Sequence, residues 1–263
     1  MPRLEILTRR PAGRAKRTPL LFVHGAYCGA WIWSAKMLGW FAERGWAAHA
    51  VSLRGHGASA GRDRIRFHTL ADYVEDVLEA FDGFDSAPVL IGHSMGGLVV
   101  QRALRKRRAP AGVLMASAPP HGLWESSLSL AWRDPYVFQQ MALLTAFGER
   151  AVDPEGIRRA MFSDRMPRAE ARLYEPLLQE ESQAVLLDMY SWTPFPPVPD
   201  RDIPILVLGA GEDLLVPAGQ VHATARTLGT EAVIVPKMGH TMMLEPGWEQ
   251  VAERVATWLE ERL

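Results

Sequence analysis

A short apolar run, Pro88–Ile91, meets the turn Gly92-His93-Ser94-Met95-Gly96, with Gly97 behind it, and a helical run from Met95 to Arg107 follows at once. A strand that passes into a helix through G-x-S-x-G leaves its serine on a tight, strained corner, and the flanking glycines leave room for neighbouring chain. Pro88 stands at the first strand position, where a missing N–H donor is tolerated. The helix beginning at Met95 brings its free N–H groups and positive dipole end close to Ser94.

The rest of the chain repeats this alternation. Leu20–Val23, Trp46–Leu53 and Gly112–Ala116 read as strands, and Ala35–Arg44 as a helix with Met37, Leu38 and Phe41 on one face. Thr69–Phe81 reads as a helix opened by a Thr69/Asp72 capping box, with Tyr73, Val74, Val77, Leu78 and Phe81 at helical spacing. From Pro119 to Pro199 there are helical stretches and no clear strand. Alternation then resumes with a strand at Ile205–Leu208, a helix at Ala218–Leu228, a strand at Ala232–Val235 and a last helix at Pro246–Glu260. Such alternation predicts an α/β fold with a mostly parallel sheet and helices on both faces. Residues 1–118 and 200–263 form the expected core. Residues 119–199 form the expected helical cap, returned to the core by the stiff Pro194-Phe195-Pro196-Pro197-Val198-Pro199 segment.

Composition removes several function classes. A formal net charge of −1 over 263 residues argues against nucleic-acid binding and against electrostatic attachment to an anionic membrane. Cys28 is the one cysteine, so no intramolecular disulfide forms. No apolar run approaches the ~20 residues of a membrane helix, and the arginine-rich start lacks a signal-peptide core, so a cytosolic protein is expected. The histidines lack zinc-ligand spacing, and no metal or cofactor is expected.

A serine is a poor nucleophile at neutral pH; it needs a base, and the base needs an orienting acid. Gly209-Ala210-Gly211-Glu212-Asp213 follows the strand at Ile205–Leu208, and Gly239-His240-Thr241 follows the strand at Ala232–Val235. Ser94, Asp213 and His240 are therefore the candidate nucleophile, acid and base, each in a loop after a strand, with Glu212 a rival acid. The tetrahedral intermediate also needs two N–H donors. Met95, next after the nucleophile, supplies one; the loop after His24-Gly25 supplies the other, at Ala26 in preference to Tyr27.

With these residues in view the chain resembles the α/β-hydrolase superfamily, in its serine-nucleophile esterase and lysophospholipase-like branch with a helical cap. The motifs that carry the resemblance are Val23-His24-Gly25, Leu53-Arg54-Gly55-His56-Gly57, Gly92-His93-Ser94-Met95-Gly96-Gly97, Gly211-Glu212-Asp213 and Gly239-His240. The resemblance implies cofactor-free cleavage of an ester or related acyl bond, and the chain order Ser94, Asp213, His240 is the order expected for this fold. A serine at position 94 sets the chain apart from the dehalogenases and epoxide hydrolases that carry an aspartate there. Gly25-Ala26-Tyr27 is a poor match to the H-G-G-G lipases.

Against the catalytic reading stand blander ones: Ser94 as a helix-capping serine, His240 as an ordinary loop histidine, Asp213 as an N-cap ahead of Pro217. His24, His56 and His93 are read as structural, and His121 as a hinge residue. Trp124, Trp132, Tyr136, Phe138, Met141, Leu144, Phe147, Met161, Met166 and Met189 make the 119–199 segment rich in large apolar side chains. Tyr27, Phe162, Trp192 and Met238 are the candidate substrate-binding residues, for a small molecule with an apolar acyl or aromatic group. A C–C bond hydrolase, a hydroxynitrile-lyase-like or perhydrolase-type enzyme on the same triad, and a non-catalytic small-molecule receptor stay open at this point.

Overall fold

The computed structural model describes residues 3–148, 151–191, 193–194, 196–200 and 202–263. Its seven strands are β1 (Glu5–Arg9), β2 (Leu20–Val23), β3 (Ala48–Ser52), β4 (Val89–His93), β5 (Gly112–Met115), β6 (Ile205–Ala210) and β7 (Ala232–Val235). They form one sheet in the order β1-β3-β2-β4-β5-β6-β7. Every neighbouring pair is parallel except β1 with β3, where Glu5 faces Ser52 and Arg9 faces Ala48. The α/β architecture read from the alternating sequence is the one observed.

Side chains on each strand alternate between two cores. Leu20 and Phe22 of β2, Val89 and Ile91 of β4, and Leu206 and Leu208 of β6 share one core. It is closed by α1 (Trp31–Ser34), α2 (Met37–Glu43) and α11 (Trp248–Glu260). Leu21, Leu90, Leu114 and Val207 point the other way, toward α3 (Leu70–Asp82), α4 (Met95–Ala103) and α10 (Ala218–Leu228). The period-2 alternation explains why these strands are apolar at every position: both faces are covered. The Thr69/Asp72 capping box opens α3 as expected.

Three elements depart from the sequence expectation. β1 is an edge strand whose residues are half-buried or exposed, so it lacks the apolar run that marks the inner strands. The four-residue α1 is too short to show periodicity. α4 stops at Ala103 and not at Arg107, in a turn where Lys106 and Arg107 both donate their N–H to the Ala103 carbonyl.

Between β5 and β6 lie α5 (Trp124–Arg133), α6 (Pro135–Phe147), α7 (Pro154–Met161), α8 (Arg168–Tyr174) and α9 (Gln183–Tyr190), with no strand among the described residues. Local chemistry starts them. Asp134, Asp153 and Ser182 accept N–H groups of the first turns of α6, α7 and α9, and Pro135 and Pro154 stand just inside α6 and α7.

The strand order sets where a site can form. From β2 the chain moves to one side to make β3, then crosses back to make β4 on the other side of β2. In open parallel sheets ligands bind at such a switch point, beyond the carboxyl ends of the strands. Here those ends carry the loop 24–27 and Ser94.

Candidate active site

Ser94 sits at φ 52°, ψ −121°, a conformation that costs a non-glycine residue on the order of 1–3 kcal/mol and persists only where its surroundings dictate it. The surroundings do so here. The Ser94 N–H donates to the Met115 carbonyl on β5, and the Ser94 carbonyl accepts from Gly97 and Ala118. A Cβ on Gly92 would run into the Gly96 carbonyl, and one on Gly96 into the backbone of Val23 and His24. The corner therefore closes only with glycine at both positions.

Asp213 and His240 come together across the sheet's end. His240 Nδ1 lies 2.7 Å from Asp213 Oδ2, and both side chains are almost completely buried. A carboxylate can only accept, so Nδ1 carries the hydrogen and Nε2 is left as an acceptor. The other oxygen, Oδ1, accepts the N–H groups of Leu215 and Val216 at 2.8 and 2.9 Å. The rival Glu212 is exposed. His93 donates from Nε2 to the His240 carbonyl at 3.0 Å, its ring centroid 4.7 Å from that of His240. Burial, followed by the charge of the neighbouring His240, holds the His93 imidazole well below its ordinary pKa. His93 supports the backbone of His240 as a neutral ring.

Neither the Ala26 N–H nor the Met95 N–H donates to a protein acceptor among the described residues. The Tyr27 N–H is already committed, to Glu181 Oε2 at 3.2 Å. His24 fixes the peptide before Ala26. Its Nε2 accepts the Leu53 N–H at 3.0 Å, so Nδ1 bears the hydrogen and donates to the Gly25 carbonyl at 2.8 Å. Burial lowers the His24 pKa to about 3, which keeps the ring neutral.

Ser94, His240, Ala26 and Tyr27 open on one cavity of about 520 Å³. Its wall comes mainly from the helices between β5 and β6, with Trp124, Phe138, Met141, Met161 and Met189 among the side chains, and among the described residues no lysine, arginine or carboxylate lines it. Cys28 also lines it, and burial pushes its thiol up to about 12, so it behaves as a small apolar residue. A second cavity of about 620 Å³ adjoins the first through Tyr27, Leu144 and Leu178; it is lined by Arg62, Arg66 and Glu180 and touches none of Ser94, Asp213 and His240.

The candidate substrate-binding residues divide. Tyr27 lines the cavity. Phe162 and Met238 do not: Phe162 is 5% exposed and Met238 is fully buried, both in the core under the sheet's α11 face. The backbone turns extended at Phe162 as α7 ends, so successive side chains point opposite ways, Met161 into the cavity and Phe162 away from it. Trp192 lies outside the described residues. Trp132 and Phe147, 89% and 74% exposed, leave the cavity as well. His121 bonds the Thr193 carbonyl and Thr227 at the base of the insertion and is absent from the cavity wall.

Residues 20–254 match the model of the Alpha/beta hydrolase family. The chain belongs to the alpha/beta hydrolase family. Among its relatives, Salicylic acid-binding protein 2 of Nicotiana tabacum is 30% identical over 114 residues, 42% of this chain and 43% of that protein. The chain thus spans less than half the length of this curated relative. Two solved structures share the alpha/beta hydrolase fold at low identity. An esterase of Thermogutta terrifontis superposes with a TM-score of 0.72 at 22% identity, covering 99% of this chain and 94% of that one. A monoacylglycerol lipase of Paleococcus ferrophilus gives 0.70 at 17% identity, covering 99% and 100%.

Two of this family member's buried carboxylates, Glu245 and Glu181, lie outside the motifs and near the site. Glu245 accepts the N–H and the hydroxyl of Ser163 at 2.6 and 2.5 Å, tying the chain after α7 to the loop of His240; burial pushes its carboxyl up. Glu181 is the second. Glu181 stands in a polar stretch and Glu245 after the apolar Met242-Met243-Leu244, and the fold places both inside. Among the described residues, no three His, Cys, Asp or Glu side chains are grouped to hold a metal ion, and no helix is long and apolar enough to cross a membrane.

Proposed function

We propose that this protein is a serine hydrolase that cleaves a carboxylic ester, or a related acyl bond, through an acyl-enzyme. The observation that carries this reading is the buried 2.7 Å pair of His240 and Asp213 opening on the same cavity as the strained Ser94. Ser94 Oγ attacks the substrate carbonyl while His240 Nε2 takes its proton. Asp213 holds the ring in that tautomer and stabilises the imidazolium. The Ala26 and Met95 N–H groups, free of other partners, receive the developing oxyanion. His240 then returns the proton to the leaving alcohol, and water, activated by the same nitrogen, releases the acid. No step needs a cofactor.

We read residues 119–199 as a cap over this centre, with 1–118 and 200–263 as the catalytic core. An uncharged cavity wall favours a small substrate with an apolar acyl or aromatic group, because a buried charge there would have no partner. The test is Ser94→Ala, assayed with short p-nitrophenyl esters and with a fluorophosphonate probe. Hydrolysis and covalent labelling are both expected to vanish while circular dichroism is unchanged; turnover persisting in the variant removes Ser94 from the mechanism.

A further inference from the structure

Tyr27 follows Ala26 and has φ +63°, a left-handed conformation in which a bulky residue is strained. Such a residue stays there only if its neighbours hold it. The holders come from the far side of the cavity. The Gln179 N–H donates to the Tyr27 carbonyl at 2.8 Å, Glu181 Oε2 accepts the Tyr27 N–H at 3.2 Å, and the Tyr27 hydroxyl lies 3.4 Å from Thr145 Oγ1 on α6.

Glu181 is buried at the foot of α9, and its two oxygens accept three hydrogen bonds and face the ring of His56. Oε1 accepts the Tyr73 hydroxyl on α3 and the Ser182 N–H, each at 2.7 Å. Oε2 takes the Tyr27 N–H and lies 3.3 Å from His56 Nε2, a contact and not a hydrogen bond. His56 is itself held, with Nδ1 3.2 Å from the Arg54 carbonyl and its ring 5.0 Å from that of His24. Burial alone would raise the carboxyl; His56, Tyr73 and the Ser182 N–H outweigh it and bring the Glu181 pKa to about 2.

The two peptide groups that flank Ala26 are thus fixed by different parts of the molecule. His24, from the sheet, holds the Gly25 carbonyl and so the plane that carries the Ala26 N–H. Glu181, from the insertion, holds the next N–H. We infer that Glu181 is a positioning residue for the oxyanion loop: its carboxylate, presented by the helical insertion, locks the Ala26–Tyr27 peptide so that the Ala26 N–H faces the reacting carbonyl. The inference rests on the proposed roles of Ser94, Ala26 and Met95. It makes the insertion part of the catalytic geometry as well as the wall of the cavity. The carboxylate is needed because three donors meet two oxygens from both sides; an amide offers one acceptor oxygen and turns an N–H toward a donor on the other side.

Glu181→Gln tests this. A misplaced oxyanion donor weakens transition-state binding more than substrate binding. Rates are therefore taken per active site, titrated with a fluorophosphonate. The kcat for a p-nitrophenyl ester is expected to fall about 10-fold or more with KM within about twofold, and the labelling rate of Ser94 to fall in proportion. Amide exchange at Tyr27 is expected to accelerate. A lower melting temperature with kcat per site unchanged means that Glu181 only fastens the insertion, and overturns the inference. Where Glu181→Gln does not fold, Glu181→Asp carries the same test, its charge kept but its reach shortened by a methylene; kcat at the parent level in that variant also overturns it. If the parent protein fails to label at Ser94, the hydrolase reading falls. The clamp is then still judged by Tyr27 exchange, and exchange at the parent rate in the variant rejects it.

Discussion

Replacing Asp213 by asparagine isolates one proton. Asp213 Oδ1 accepts two backbone N–H groups, from Leu215 and Val216, while Oδ2 accepts one hydrogen from His240. An asparagine in this place has one acceptor and one donor end. Two fixed backbone donors claim the carbonyl oxygen, so the amide NH₂ is turned toward His240 Nδ1. That nitrogen must then give up its hydrogen, and the imidazole proton moves to Nε2, the atom that should receive the proton of Ser94. Volume and packing hardly change, so the effect falls on the tautomer. In serine proteases of another fold the same exchange lowers kcat by about 10⁴-fold. At about 1.36 kcal/mol per decade that is roughly 5.4 kcal/mol of transition-state stabilisation. The variant should show a kcat for p-nitrophenyl butyrate lowered by about three to four decades, KM near the parent value and an unchanged melting temperature. Glu212→Gln, altering an exposed neighbour, should leave kcat within about twofold. A loss smaller than about 10-fold in Asp213→Asn, or a comparable loss in Glu212→Gln, would refute the assignment of the acid.

Two adjacent side chains separate cavity from core. Phe162→Ala should cost about 3–5 kcal/mol in urea unfolding, as expected for a buried aromatic, and leave the acyl-chain preference unaltered. Met161→Ala should instead shift relative kcat/KM toward longer or bulkier esters with a smaller loss of stability, since it widens the cavity wall; the opposite pattern would exchange their places. Stability should also fall on mild acidification. Burial holds the His24 pKa at about 3 and that of His93 well below its usual value, so between pH 6 and 5 the unfolded chain binds protons that the folded chain refuses. Each ring withdraws up to about 1.4 kcal/mol per pH unit, and Glu245, whose carboxyl is raised, opposes them, leaving a net loss of about 1–3 kcal/mol per unit. Urea midpoints that stay level across this range would count against buried neutral histidines.

What could be known before folding was local. Ser94 between an apolar run and a helix is a matter of neighbours in sequence, and so are the Thr69/Asp72 cap and the apolar strands. The order of Ser94, Asp213 and His240 along the chain follows from the alternation of strands and helices. Asp213 is preferred to Glu212 by loop position; the tertiary structure sets Asp213 against His240 and leaves Glu212 exposed. Tertiary structure decided the rest. The strand order sets β2 beside β4, and only that adjacency brings the loop of Ala26 against Ser94. Phe162 and Met238 have the composition of cavity residues, yet a single extended residue after α7, and the return of the chain to the interior after the exposed turn at Pro236-Lys237, send both into the core. Glu181 reads in sequence as one of five consecutive polar residues, Gln179-Glu180-Glu181-Ser182-Gln183. It is buried because donors from the β2 loop and α3, and the His56 ring from the turn after β3, converge on it across more than a hundred residues of chain. A charge can leave water only where such partners already wait, and no local pattern records where distant donors will meet.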